Sequence, residues 1–207
     1  KDPTRGGDLS FGGQRGPANS LMVDGADSNN LFYAQATGRT GLRPYAFSQD
    51  AVQEFQVNAN SFPAEVGRAS GGAINVVTKS GTNTLHGSAF EFYRDKGMNA
   101  NTMTNNRIGA AKNPYHFNQF GGSLGGPVRK DKAFFFINYD QQKNNLTQVL
   151  APNTLPTAAQ LPVFAQYLTP YSLGVQNRVA LAKADFNLSN QDRLSIRYNM
   201  SRYTGVN

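Results

Sequence analysis

From residue 193 to residue 201 the chain alternates without a break: Leu194, Ile196, Tyr198 and Met200 take one set of positions, and Arg193, Ser195, Arg197, Asn199 and Ser201 take the other. A period of two sends successive side chains to opposite faces of a β-strand, so this stretch has one oily face and one wet face. The rhythm recurs earlier in the chain. Ala180, Ala182, Ala184, Phe186 and Leu188 alternate with Leu181, Lys183, Asp185 and Asn187, and Ser88, Phe90 and Phe92 alternate with Ala89, Glu91 and Tyr93. Such a chain folds as sheet.

The connections between these segments come in two sizes. Arg129-Lys130-Asp131-Lys132 and Ser189-Asn190-Gln191-Asp192 read as tight polar turns. Asp95 to Pro114 is an Asn-rich stretch of roughly 20 residues, and Asn144 to Asn177 is longer, both well beyond the ~2–5 of a hairpin loop. Short and long connections that alternate are the pattern of a membrane β-barrel, with tight turns at one end and extended loops at the other. A soluble β-sandwich shares the alternation but has no reason to sort its loops by side. Inside the longer connection, Thr157–Leu161 and Phe164–Leu168, interrupted by Pro162, read as short helical turns. Tyr115–Val128 is a strand whose facing is blurred by Gly121, Gly122, Gly125 and Gly126, which imply bulges or the close approach of another element.

The first 80 residues have another character. Ser20–Val23 reads as a strand ending in the Asp24-Gly25 turn, and the polar stretch from Ala26 to Phe47 reads as a long loop. Ser48 is placed to cap one helical turn, with Asp50 suited to its positive end. Val52–Val57 and, after Gly71-Gly72, Ala73–Thr78 read as strands. Strands around one small helix make a compact α+β unit.

Composition narrows the function. Gly 21, Phe 14, Tyr 9 and no Trp, with only 16% charged residues, favour turns and aromatic strands over helices. With no Cys there is neither a disulfide nor a thiolate metal site. The net charge of +7 is scattered along the chain, so no nucleic-acid partner is expected. No apolar run approaches the ~20 residues of a membrane helix, and Lys1-Asp2-Pro3 does not begin a signal peptide. His86 and His116, the only histidines, belong near opposite ends of successive strands and are not expected to share a metal. Gly12-Gly13 and Gly71-Gly72 lack the spacing and the Lys-Ser of a phosphate loop. Asp24 reads as a turn residue and not as a base. No catalytic, cofactor-binding or metal-ligating set is expected, and the chain does not read as an enzyme.

Four short motifs in order carry a resemblance. Ser10-Phe11-Gly12-Gly13-Gln14-Arg15, Val23-Asp24-Gly25, Val52-Gln53-Glu54-Phe55-Gln56-Val57 and Gly71-Gly72-Ala73-Ile74-Asn75-Val76-Val77-Thr78-Lys79 are similar to the plug motifs of the TonB-dependent outer-membrane receptors. The run from Phe117 to Pro127, followed by Phe134–Tyr139, tilts the resemblance toward the Oar-like branch, which often carries a carboxypeptidase-regulatory-like domain. Gly12 stands where the wider family has Arg, Gln53 and Gln56 where it usually has Glu, and Asn58–Ser61 replaces its Arg-Gly-Pro.

The resemblance implies an α+β plug over residues 1–83. About five antiparallel strands of an incomplete transmembrane β-barrel would follow over residues 84–207, making the whole mainly β, where complete barrels of this class close ~22 strands. Signal sequence, TonB box and most of the barrel are missing from the chain, so it reads as a fragment. The implied function is TonB-dependent uptake of an oligosaccharide, peptide or chelate across the cell outer membrane. The implied partners are the lipid bilayer, a TonB-type energy-coupling complex and an extracellular substrate. A surface adhesion or interaction protein of the Oar-like type is the alternative, and a soluble β-rich carbohydrate-binding module a weaker one. Polar plug loops and aromatic or basic side chains suit sugars or peptides, which makes Gln14, Arg15, Asn29, Asn30, Tyr33, Arg39, Arg43 and Tyr45 the expected substrate-facing set.

Overall fold

A computed structural model describes residues 10–14, 18–29, 47–59, 61–63, 65–67, 69–107, 109, 111–148 and 171–206. They are mainly β, in two sheets. The first contains β1 (Ser20–Val23), β2 (Ala26–Asp27), β3 (Val52–Asn58) and β4 (Ala73–Thr78), in the order β2-β1-β4-β3. Asp24 and Gly25 both take positive φ, 48° and 79°, and so close the β1–β2 hairpin in the conformation that Asp-Gly tolerates best. The polar stretch after Gly25 therefore opens with a two-residue strand and not with loop.

Parallel pairing sets Ser20 opposite Ala73 and Val23 opposite Val76, while β3 runs antiparallel to β4 with a register shift between Val52 and Glu54. The central strand β4 is a β-branched run with Ala73, Ile74, Val76 and Thr78 buried. The expected helical turn at Ser48 is a three-residue 3₁₀ turn, Gln49–Ala51, and the Ser48 hydroxyl accepts from the Asp50 amide at 3.2 Å. It cannot lengthen into an α-helix because Val52 already belongs to β3.

The second sheet holds β5 (His86–Asp95), β6 (Tyr115–Arg129), β7 (Ala133–Gln148), β8 (Tyr171–Asn187) and β9 (Arg193–Val206), neighbour to neighbour in chain order. Asp131, at φ 63°, turns β6 into β7, and the turn is pinned from two sides. Asn83 Nδ2 donates to Asp131 Oδ1 at 2.6 Å while the Asp131 amide donates back to Asn83 Oδ1 at 2.9 Å, and Asn187 Nδ2 donates to the Asp131 carbonyl at 2.8 Å. The β8–β9 turn is closed by Leu188 N to Asp192 O at 3.0 Å and by the Ser189 hydroxyl, which accepts from the amides of Gln191 and Asp192. The close approach foreshadowed by the β6 glycines is real: a Cβ on Gly122 would lie 2.6 Å from the Ser88 carbonyl oxygen of β5.

Two sequence expectations change. The stretch from Asp95 to Pro114 holds a 3₁₀ turn, Lys96–Met98, and a short α-helix, α1 (Met103–Arg107), whose start is capped by Thr102 Oγ1 accepting from the Asn105 amide at 3.2 Å. The second long connection also shrinks, because β7 continues to Gln148 and β8 begins at Tyr171. The helical turns expected within 157–168 lie outside the described residues.

The chain divides into two compact units. One is Lys1–Ala89, Gly122–Tyr139 and Val179–Ser201, and the other is Phe90–Gly121, Asp140–Arg178 and Arg202–Asn207. In the first unit Ala51, Phe136 and Leu181 form a small buried cluster, so the 3₁₀ turn sits on one face of β7 and β8. On that same face Asn138 is only 4% exposed, while on the other face of the neighbouring positions Ile137 is 48% exposed. The alternation of β9 follows the same rule: Leu194, Ile196, Tyr198 and Met200 are all exposed, Tyr198 at 66%, whereas Arg197 is drawn into an ion pair. The outward positions carry exposed apolar side chains, while the inward face mixes buried Phe136, Val179 and Leu181 with buried Asn138, Asp140 and Asn177. In the second unit the inward positions are polar too, with Gln119 donating to both oxygens of buried Asp140 at 3.2 and 3.1 Å and accepting from Gln142 Nε2 at 3.1 Å.

Candidate functional site

Two carboxylates of the first unit organise its polar face, and both act at the end of β4. Asp24 Oδ1 accepts from the Thr78 amide at 2.7 Å and Oδ2 from the Thr78 hydroxyl at 2.6 Å. The same Oδ2 lies 3.0 Å from Arg197 Nη1 on β9 and 3.9 Å from Lys183 Nζ on β8, and Lys183 also reaches Thr78 Oγ1 at 3.4 Å. The Asp-Gly turn thus presents a side chain as well as reversing the chain. Burial pushes the Asp24 carboxyl up, but the two Thr78 hydrogen bonds with Lys183 and Arg197 outweigh it and hold the group below its ordinary value. Asp24 is therefore ionised throughout the neutral range, as an ion-pair centre requires.

Asp50 does the corresponding work on β5 to β7. Its Oδ2 accepts from Ser88 Oγ at 2.8 Å and from Asn138 Nδ2 at 3.4 Å, and its Oδ1 pairs with Lys79 Nζ at 3.4 Å. Ser88 and Ser123 hydroxyls meet at 2.8 Å, so three strands converge on one carboxylate. Burial again raises the Asp50 pKa, and hydrogen bonds from Ser123 and Ser88 with the charge of Lys79 more than reverse it. Thr78 and Lys79, adjacent in sequence, thereby connect β4 to every strand of the second sheet, one through an ionic centre and the other through a hydrogen-bonded one. A third carboxylate on the polar face, Asp185, accepts from Ser195 Oγ at 2.6 Å.

Of the expected substrate-facing residues, Gln14 and Asn29 are described, and both are engaged locally. The Gln14 amide donates to the Phe11 carbonyl at 2.9 Å, and the Gln14 carbonyl accepts from Ser10 Oγ at 2.8 Å. Asn29 Oδ1 accepts from the Leu21 amide at 3.2 Å, and its amide groups donate to Asp27 Oδ1 at 2.8 and 2.9 Å. Arg15, Asn30, Tyr33, Arg39, Arg43 and Tyr45 lie outside the described residues. His86 Nδ1 approaches the Thr84 carbonyl at 3.0 Å, and His116 stacks edge-on against Tyr93. Among the described residues no group of three His, Asp or Glu side chains is placed to hold a metal.

The Asp24 and Asp50 centres were missed as such in the sequence. The only signal for them was the presence of Lys183, Asp185, Arg193 and Arg197 on a wet strand face with no partner assigned.

Comparison with known proteins gives this arrangement a context. Residues 77–178 match the outer membrane beta barrel domain. The chain is 30% identical over 135 residues, 63% of its length, to the TonB-dependent transporter Oar of Myxococcus xanthus, and the match takes in 12% of that protein. The fold is similar to that of the siderophore receptor PirA of Acinetobacter baumannii, with a TM-score of 0.62 and 17% identity over 99% of this chain and 27% of that one. It is also similar to the outer membrane transporter YddB of Escherichia coli, with a TM-score of 0.58 and 14% identity over 95% of this chain and 27% of that one. A ferric enterobactin receptor of Pseudomonas aeruginosa, PfeA, solved with enterobactin, gives 0.58 and 18% over 96% of this chain and 29% of that one. The chain thus spans about an eighth of its curated relative and little more than a quarter of each solved receptor.

Proposed function

As a homologue of a TonB-dependent transporter, with an outer membrane beta barrel domain in its sequence, the chain is a protein of the Gram-negative outer membrane, and we propose that it is part of an energy-coupled importer. In this reading residues 1–83 form the plug, residues 84–207 form the first five strands of the barrel wall, and the remainder of the wall closes around the plug. The observation that carries it is the inverted exposure of the second sheet. Apolar side chains of β6, β7 and β9 are exposed, while Asn138, Asp140 and Asn177 are buried. Water on the outside would favour the reverse, so the outer solvent is lipid and the polar face lines a lumen.

The Asp24 and Asp50 centres then hold the plug against the wall while leaving its loops to meet a substrate. The substrate-facing set remains Gln14, Arg15, Asn29, Asn30, Tyr33, Arg39, Arg43 and Tyr45, with the backbone of Gln14 and the side chain of Asn29 shaping their loops. A chelate, oligosaccharide or peptide fits the polar and aromatic chemistry of that set; the named receptors for siderophores support the first of these. Energy for release reaches the plug from a TonB-type complex.

The test is accumulation in cells that express the full-length parent, offered a panel of radiolabelled ferric chelates, oligosaccharides and peptides. Uptake that requires the parent gene and stops when a protonophore collapses the proton-motive force is the expected result. Gene-dependent surface binding without accumulation, indifferent to the protonophore, would replace the importer with a surface-interaction protein.

A further inference from the structure

The connection from β5 to β6 is tied together by one side chain. Asn105 of α1 is half-buried, and its Nδ2 donates to Asn101 Oδ1 at 3.1 Å, to the Ala111 carbonyl at 3.2 Å and, more loosely, to Asn113 Oδ1 at 3.5 Å. One amide group thus joins the residues before the helix to those after it. Asn101 Oδ1 also accepts from the Thr102 amide at 2.9 Å. Gly109, at φ 66°, turns the chain after the helix and donates from its amide to the Asn106 carbonyl at 3.3 Å. At the base, Asp95 Oδ1 accepts from the Gly97 amide at 2.8 Å, and Oδ2 lies 3.8 Å from His116 Nδ1. All of these residues belong to the second compact unit. A connection braced in this way is held in one shape before anything binds it.

What it holds outward is set by helix geometry. An α-helix turns by about 100° per residue, so the positions two residues either side of an inward Asn105 point roughly 160° away from it. Those positions are Met103 and Arg107, four apart and neighbours on the outer side of α1. Both are exposed, and Met103, at 82%, is the barest large apolar side chain among the described residues. Lys112, also exposed, follows the Ala111 carbonyl that Asn105 draws against α1. Asp95 is the only carboxylate between residues 95 and 114, and it is engaged at the base. No carboxylate among the described residues pairs with Arg107 or Lys112. The outer side therefore offers a thioether and two cations and no acid.

We propose that the Met103–Arg107 side of α1, with Lys112, is a docking surface for an acidic polypeptide segment that carries an apolar residue between its carboxylates. Arg offers a planar fork to one carboxylate, Lys a point charge to another, and the unbranched, polarizable Met chain adapts to an aliphatic side chain. A polyanionic sugar chain would use the cations and leave Met103 bare, so the surface favours a polypeptide. Because the Asn105 ties are already made in the free loop, little ordering is left to oppose binding. The connection leads into the start of β6, while the tight turn at 129–132 follows its end, so in a barrel with short periplasmic turns this surface faces the cell exterior. That placement rests on the barrel reading above; the docking chemistry does not.

The test uses the full-length parent, purified in a mild detergent, and a short fluorescent peptide of glutamates with two leucines set among them, with empty micelles as the blank. The parent should bind the peptide saturably, and less tightly as salt is raised. Met103→Ser should weaken binding about tenfold or more, and Arg107→Gln and Lys112→Gln about two- to fivefold each. Two arms need no substitution and survive a variant that fails to fold: the peptide with Gln for Glu, and the peptide with Ala for Leu, should each bind the unaltered parent more weakly than the original. Absence of saturable binding, equal binding of either counterpart, alginate that binds as tightly as the peptide, or unchanged affinity in all three variants overturns the docking surface. Orientation is read separately. A membrane-impermeant maleimide should label Met103→Cys on intact cells; failure to label overturns the exterior placement, while the peptide titration still decides the docking surface.

Discussion

The two sheets are made of the same material and hide opposite things. In the first, β4 buries Ala73, Ile74, Val76 and Thr78, as the central strand of any water-soluble sheet does. In the second, β9 exposes Leu194, Ile196, Tyr198 and Met200 and turns Arg197 inward to Asp24. Alternation in a sequence says only that the two faces of a strand meet different solvents. Which face meets water is decided by packing, and a single strand of this chain shows both rules: Phe136 is fully buried while Ile137 beside it is half exposed.

That neighbouring pair gives the strongest way to break the comparison. Phe136→Ala should cost about 3–5 kcal/mol, because the ring fills the space over Ala51 and Leu181 whatever the outer solvent is. Ile137→Lys should cost about 2–4 kcal/mol if the outward face lies in lipid and close to nothing if it lies in water. Both are read from urea unfolding of the full-length parent in phospholipid vesicles, and a neutral Ile137→Lys would erase the distinction between the sheets.

A smaller effect sharpens it. Asp24→Asn removes the charge that Lys183 and Arg197 share and should lower the protection of the Thr78 amide by about 1.5–3 kcal/mol in hydrogen exchange, with the rest of β4 following. Acid should imitate the substitution. Asp24 and Asp50 both sit below the ordinary 3.8 in the folded chain, so their contribution is complete above that value and is lost as pH falls through the lower folded values. Protection of Thr78 that declines already between pH 6 and 5 would contradict the assignment. Asn83→Ala, the mildest change, should cost about 0.5–1.5 kcal/mol and show as faster proteolysis within residues 79–85.

Much of the framework was readable because solvent contrast wrote it into the residues. The β-branched run Ala73–Thr78, bounded by Gly71-Gly72 and Lys79-Ser80-Gly81, gave β4 to the residue, and the alternation at 193–201 gave β9 with its facing. Where contrast vanishes the reading failed. Near its end β7 is polar on successive positions, Gln141-Gln142-Lys143-Asn144-Asn145, so nothing marks Asn144 and Asn145 as strand. Helix α1 has only Thr102 as a start signal in an Asn-rich stretch. The site fared likewise: Asp24 was legible as a turn because Gly25 follows it, but Thr78 and Arg197, its partners, stand 54 and 173 residues away. Nothing local announces such a pairing.

The reciprocal bonds between Asn83 and Asp131 have a mechanical meaning. A strand tugged from its leading end unzips one ladder rung after another until it reaches a point where the load runs broadside into two opposed bonds at once. Asn83 and Asp131 exchange two such bonds, so a pull arriving from the N-terminal side would be shared with the hairpin of β6 and β7 before it reached β5.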